Sequence, residues 1–225
     1  MLIIFDLDDT LIDTSGTLTP HRLRHMWDTL QHSGLPASFT WEQLVAAHQA
    51  TPHTQEAVEL FLHASPYKQH LYTVALQALY DPKIPLPPIA TTPGALATLW
   101  TLSLHHTFAL VTMGEPTYQR NKWLKAGIPI ELFTHVIVSG SEGKGCHYHR
   151  LVARNVPQHV WVCGDVVNRD LDPAYALGCT TVWLRWGRSK GARIEGEQGS
   201  VDYVIDALPQ LVDLMNEDVV CTHNR

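Results

Sequence analysis

The chain has 225 residues, 45% of them hydrophobic, and a formal charge of -6. That length suits one large domain or a core with a smaller appendage, and the apolar share is enough to bury a substantial interior. The acidic balance argues against a broad nucleic-acid footprint, and no run approaches the ~20 apolar residues of a membrane span.

The opening apolar run, Leu2-Ile3-Ile4, is too short for a secretion signal and has no basic flank. A reducing, cytoplasmic setting is therefore expected. Cys146, Cys163, Cys179 and Cys221 form no CxxC pair and no regular zinc spacing. The histidines are scattered, and no HExxH is present. The densest soft-ligand group, Cys146-His147-Tyr148-His149, reads as an ordinary segment leading from loop to helix.

Leu2-Ile3-Ile4 predicts a fully buried strand. It runs into Asp6-Leu7-Asp8-Asp9-Thr10, three carboxylates within four positions. A buried strand end does not tolerate that charge without a cation to receive it. Strand alternation would point Asp6 and Asp8 one way and Asp9 the other. Two converging carboxylates make a hard-oxygen site suited to Mg²⁺. They also offer a nucleophile and a nearby acid/base.

Asp13 to Gly16 and Thr19-Pro20 are turn and cap residues. Leu23, Met26, Trp27 and Leu30 then fall on one helical face. Ser33-Gly34-Leu35-Pro36 ends that helix. Further helices are predicted at 40–50, 53–64 and 66–80. Five prolines between Asp81 and Pro93 cannot continue a helix and make a stiff connector. It reads as the return path from an inserted helical unit.

From Pro93 helix and strand alternate. Helices are predicted at 94–104, 116–126, 145–155, 170–177 and 208–215. Strands are predicted at 108–112, 136–138, 160–163, 181–184 and 203–205. This pattern implies right-handed crossovers and a parallel sheet covered on both faces. Ligands of such sheets bind at the carboxyl ends of the strands. There the chain places Asp6 and Asp8, Thr112 with Met113-Gly114, Lys144 between two glycines, and Gly164-Asp165 with Asp170. Each is weak alone; the ordered set is specific.

That ordered set resembles the four motifs of the haloacid dehalogenase-like hydrolase superfamily. Asp6-Leu7-Asp8-Asp9-Thr10 looks like the first, Thr112 the second, Lys144 the third, and Gly164-Asp165 with Asp170 the fourth. Val111-Thr112-Met113-Gly114, followed by Gln119 and Lys122, is similar to the phosphatase branch. The resemblance implies an α/β fold, a Rossmann-like doubly wound parallel sheet formed by 1–13 and 91–225, with an inserted α-helical cap at 14–90. It implies a Mg²⁺-dependent phosphatase of a small phosphorylated metabolite, monomeric or homodimeric, acting through an aspartyl-phosphate. In that scheme Asp6 is the nucleophile and Asp8 the acid/base. Lys144 screens charge, and Thr112, Met113 and Gly114 hold the phosphoryl group with Lys144. The metal set is Asp6, Asp8 through its carbonyl, Asp165 and Asp170, the last in contact with metal-bound waters or with Lys144.

The scheme needs Asp8 protonated while Asp6 stays ionised. Asp9 is expected to bond within its own turn. The cap would choose the leaving group, with His21, Arg22, Arg24, His53, His63, Tyr67, Lys68 and His70 as candidates. Arg185 and Arg188, beside Trp186, are candidates on the sheet edge. Val166, Arg169, Met113 and the early Asn168 depart from the family pattern. A phosphoglucomutase-like phosphotransferase and a non-catalytic binding protein are the alternatives.

Overall fold

The computed structural model describes residues 1–51, 54–81, 83–191 and 199–222, without the side chains of 188 and 217–222. His53, Pro82 and the Arg188 side chain therefore lie outside the described set. In chain order the elements are β1 (Leu2–Phe5), α1 (Thr19–His32), α2 (Trp41–Ala50), α3 (Thr54–Phe61), α4 (Lys68–Leu79), α5 (Ala95–Ser103) and β2 (Thr107–Met113). There follow α6 (Pro116–Ala126), β3 (Phe133–Ser139), α7 (Gly145–Val152), β4 (Val160–Gly164), α8 (Asp172–Tyr175), β5 (Thr180–Leu184), β6 (Tyr203–Ile205) and α9 (Pro209–Thr222). Among the described residues, no helix is long and apolar enough to cross a membrane.

Two compact units emerge: residues 1–15 with 88–225, and residues 16–87. The larger one carries a six-stranded sheet in the order β3-β2-β1-β4-β5-β6, with every pair parallel. The chain steps outward from β1 on one side, then returns and steps outward on the other. β1 is thus where the strand order reverses, the place at which such sheets bind ligands. All four β1 residues are buried, as a central strand covered on both faces requires. Phe5, Phe108 and Phe133 pack edge-on or tilted across β1, β2 and β3. On the other side, Leu2, Ile4, Val160 and Val162 join Tyr148, Leu151 and Trp183 in one cluster.

The smaller unit is built from α1 to α4. Leu23, Met26, Trp27 and Leu30 are all buried, so the periodicity identified the correct face of α1. Trp27 meets Trp41 edge-on, and Phe61 packs between Trp27 and Phe39. A reciprocal Thr40–Gln43 capping box starts α2. Arg22 is buried and donates to the carbonyls of Asp81 and Ile84. It therefore secures the proline-rich return segment to α1.

Some boundaries differ from expectation. β3 runs from Phe133 rather than Val136, because Thr134 and His135 are exposed edge-strand positions that hide the apolar pattern. The helix expected over 170–177 is split. Val167–Leu171 forms a wide π-type turn, and Pro173 opens the short α8. The Asp170 carboxylate accepts the Val166 N–H, which holds that turn.

Gly94 enters α5 at φ 78°. A Cβ there would lie 2.7 Å from Pro209 Cδ and closer still to Cγ, at the start of α9. Gly94→Ala is expected to lower the melting midpoint by roughly 3–10 °C, from overpacking plus a left-handed alanine. Calorimetry or circular dichroism on heating checks this.

Candidate active site

The backbone fixes Asp6 first. Phe5 pairs with Leu110 on one side and Cys163 on the other, and the Asp6 N–H donates to the Cys163 carbonyl at 3.0 Å. The ladder thus continues one residue past β1 and carries Asp6 to the sheet edge. Beyond it the chain turns. Asp9 sits at φ 55°, and the N–H groups of Leu11 and Ile12 return to the Leu7 carbonyl. Strand alternation therefore ends at Asp6 and does not govern Asp8 or Asp9.

Lys144 comes from the β3–α7 loop. Ser139 Oγ donates to the Gly143 carbonyl at 2.7 Å, and Gly143 takes φ 75°. That turn delivers a buried ammonium whose Nζ lies 2.5 Å from Asp6 Oδ1 and 2.6 Å from Asp170 Oδ1. Asp165 follows β4, and its carbonyl accepts the Trp183 indole N–H. Carboxylate oxygens of Asp6, Asp165 and Asp170 all lie within 4.8 Å of one another. Gly164 has no alternative here, since a Cβ would intrude on the Asp170 side chain.

Asp8 lies outside this trio. Lys122 Nζ, from α6, bonds both of its oxygens at 2.6 Å. Thr14 Oγ1 donates to Oδ1 at 2.5 Å, and Gln119 Nε2 to Oδ2 at 3.0 Å. With its carboxylate so engaged, Asp8 keeps only its backbone carbonyl as a candidate ligand. Gln119 also donates to Thr112 Oγ1 and to the Met113 carbonyl. The Thr112 hydroxyl, buried on β2, accepts from Gln119 and keeps its own proton to donate. Gly114 is already engaged: its N–H donates to the Ser139 carbonyl, so it does not present that donor to a phosphoryl group.

The electrostatics run opposite to the expected order. Burial pushes the Asp6 carboxyl up, Lys144 opposes it, and Asp170 and Asp8 push it up again; the net is a rise. Burial alone would also raise Asp8, but Lys122 and the bonds from Thr14 and Gln119 outweigh it and hold that carboxyl low. Asp165 is raised well above the usual range by burial, then by Asp170 and Asp6. Three carboxylates share one ammonium, and this hard-oxygen set with surplus negative charge fits a small divalent cation.

Asp9 accepts from the backbone N–H and hydroxyl of Ser15, within its turn as expected. Arg185 forks onto Asp206 through Nε and Nη2, each at 2.8 Å, and Trp186 donates to Asp13. His147 pairs with Glu142 at 3.0 Å. Among the described residues, the group of three close ligating side chains is Asp6, Asp165 and Asp170, and the Cys146–His149 stretch is not part of it. In the sequence Gln119 and Lys122 stand out only by their place after Val111-Thr112-Met113-Gly114, with no role attached to either. Their three-residue spacing on one face of α6 was the available signal, and both are buried there.

The HAD-hydrolase-like family model matches residues 144–211. A glyceraldehyde 3-phosphate phosphatase of Pyrococcus furiosus is 28% identical over 96% of this chain and 93% of its own length. The Pyrococcus abyssi phosphatase of the same name is 29% identical over 83% of this chain and 82% of its own. Over most of its length the chain is similar to these phosphatases, and its later half is similar to the HAD-hydrolase-like family. Among solved structures, the HAD-hydrolase YfnB of Bacillus subtilis, bound to magnesium, matches in fold. Its TM-score is 0.64 at 17% identity, covering 96% of this chain and 98% of that one.

Lys122→Met would leave the Asp8 carboxylate half-buried without its cation, a loss of about 1–3 kcal/mol. Asp8→Asn in the same background should recover most of it. A double-mutant cycle from denaturant unfolding measures the coupling; additive losses would contradict the clamp.

Proposed function

We propose that this phosphate-ester hydrolase uses Asp6 as a nucleophile on a short-chain phosphate monoester. The observation that carries the reading is the meeting of Asp6, Lys144, Asp165 and Asp170 at the end of β1. Asp6 bonds to phosphorus as the ester P–O bond breaks, and a proton that Asp8, ionised in the free protein, takes up as the substrate binds goes on to the leaving oxygen. Water then attacks phosphorus, the Asp6–phosphorus bond breaks, and the water's proton returns to Asp8. The cycle closes with the protein unchanged. A carboxylate is a weak nucleophile towards an anion, so positioning and charge neutralisation supply most of the acceleration.

Each neighbour has a part in that economy. Lys144 opposes the burial that raises Asp6 and faces the incoming charge. Asp170, bonded to both Lys144 and the Val166 N–H, orients that lysine. Thr112 donates to a phosphoryl oxygen, with Gln119 fixing its rotamer. Lys122 sets the acidity of Asp8 for both halves of the cycle. The carboxylates of Asp6 and Asp165, with the Asp8 carbonyl, would hold Mg²⁺, which would offset charge on the phosphoryl oxygens. The helical unit over residues 16–87 is assigned the role of cap. The substrate named for the curated relatives, glyceraldehyde 3-phosphate, is the first ester to test.

Asp6→Asn should lower phosphate release by about 10³-fold or more, since the amide is a far poorer nucleophile. Chelation should abolish wild-type activity, and Mg²⁺ should restore it. A malachite-green assay over triose and sugar phosphates checks both. Near-wild-type turnover by Asp6→Asn, or activity that survives chelation, would remove the nucleophile or the metal from the scheme.

A further inference from the structure

The sheet has two edges, and they are finished differently. β6 closes one side with 3 residues, held between Asp202 and Asp206. A short strand guarded by charge discourages further pairing. β3 closes the other side with 7 residues, Phe133-Thr134-His135-Val136-Ile137-Val138-Ser139. That run holds no Lys, Arg, Asp, Glu or Pro, the residues that usually guard an edge. Among the described residues its strand partner is β2, and Thr134, His135 and Val136 are exposed.

The direction of the backbone along β3 follows from one bond. The Gly114 N–H donates to the Ser139 carbonyl, so Ser139 turns its peptide groups towards β2. Backbone groups alternate sides along a strand. His135 and Ile137 therefore also face β2, while Val136 and Val138 turn N–H and C=O to the open side. At the start of β3, Phe108 pairs with Phe133 but Ala109 with His135. Thr134 is thus an extra residue, and such a bulge ends regular pairing. The regular edge runs from His135 to Ser139, with Ile137 at its middle.

We propose that this edge pairs antiparallel with the same edge of a second copy, about a two-fold axis at Ile137. Val136 then lies opposite Val138 of the other copy, and the two pairs exchange about four backbone hydrogen bonds. Side chains from His135 to Ser139 meet their counterparts without like charges opposed, and β-branched pairs suit such contacts. The chain carries a formal charge of -6, so two copies meet with least repulsion along an uncharged strip. The occupant is a second β3 because β6 is too short and too acidic to accept it. The contact therefore closes as a dimer and does not propagate into a fibre. Edge pairing of this length lies at the small end of interfaces, below about 1,200 Å², so the dimer dissociates on dilution. The inference is independent of the phosphatase reading.

Sedimentation of the full chain across a concentration series tests it. Wild type should be largely dimeric at about 100 µM and largely monomeric near about 1 µM, the regime of small interfaces. Val136→Lys and Val136→Glu each bring two like charges within about 7–8 Å across the axis and should raise the dimer Kd about tenfold or more. Mixing these two variants should restore dimers. Val136→Pro removes an outward N–H without touching the β2 ladder and should also weaken the dimer. Val204→Lys, on the other edge, should not. Melting midpoints within about 3 °C of wild type verify the fold of each variant. A wild type that stays monomeric throughout, a dimer indifferent to the Val136 variants, or a Lys/Glu mixture that stays monomeric would overturn the proposal. So would a monomer carrying a bound peptide in native mass spectrometry, which would give the edge to another occupant.

Discussion

One buried ammonium holds the site together. Lys144 lies between Asp6 and Asp170, and all three groups are almost fully removed from water. Burial of an ion is costly unless partners of opposite charge and good geometry meet it. Burial would lower the proton affinity of Lys144, yet Asp170 and Asp6 raise it well above the ordinary lysine range. Remove the lysine, and a cluster already rich in negative charge becomes untenable. Asp165, raised by burial and by the same two neighbours, marks where the surplus remains. It is the side of the cluster that invites a further cation.

The architecture exists to make that meeting possible. Asp6 comes from the chain's beginning, while Lys144, Asp165 and Asp170 come from its later half. A parallel sheet whose order reverses at β1 places the ends of β1, β2 and β4 side by side. Two small features then set the fine geometry. The glycine at 164 admits the Asp170 side chain, and the π-type turn directs that residue inward. A second, separate charge pair, Lys122 with Asp8, keeps the other carboxylate apart from the first cluster. The different surroundings of Asp6 and Asp8 are therefore built by two lysines, Lys144 from the β3–α7 loop and Lys122 from α6.

Much of this was legible in the residue order. Buried strands are nearly all apolar, so β1, β2, β4 and β5 stood out, and the polar groups after them marked the sheet edge. The α1 face was equally plain, because Leu23, Met26, Trp27 and Leu30 obey the helical period. What escaped had a physical reason in each case. β3 is an edge strand whose exposed Thr134 and His135 blur its start. Lys122 looks like any solvated helix lysine until α6 is docked, since burial of a charge depends on a partner distant in sequence. The relative acidities of Asp6 and Asp8 depend on those same distant partners, which no local pattern encodes. Alternation along β1 misled at Asp8, because the left-handed Asp9 turns the chain out of the strand.

The central claim is that Asp6 and Asp165 form the cation site, whereas the Asp8 carboxylate belongs to Lys122. Calorimetric titration of Mg²⁺ into chelator-treated wild type, Asp165→Asn and Asp8→Asn tests it most directly. The account predicts saturable binding in wild type, similar affinity in Asp8→Asn, which retains the backbone carbonyl, and a loss of about tenfold or more in Asp165→Asn. Unchanged binding by Asp165→Asn, or its abolition in Asp8→Asn, would contradict the account.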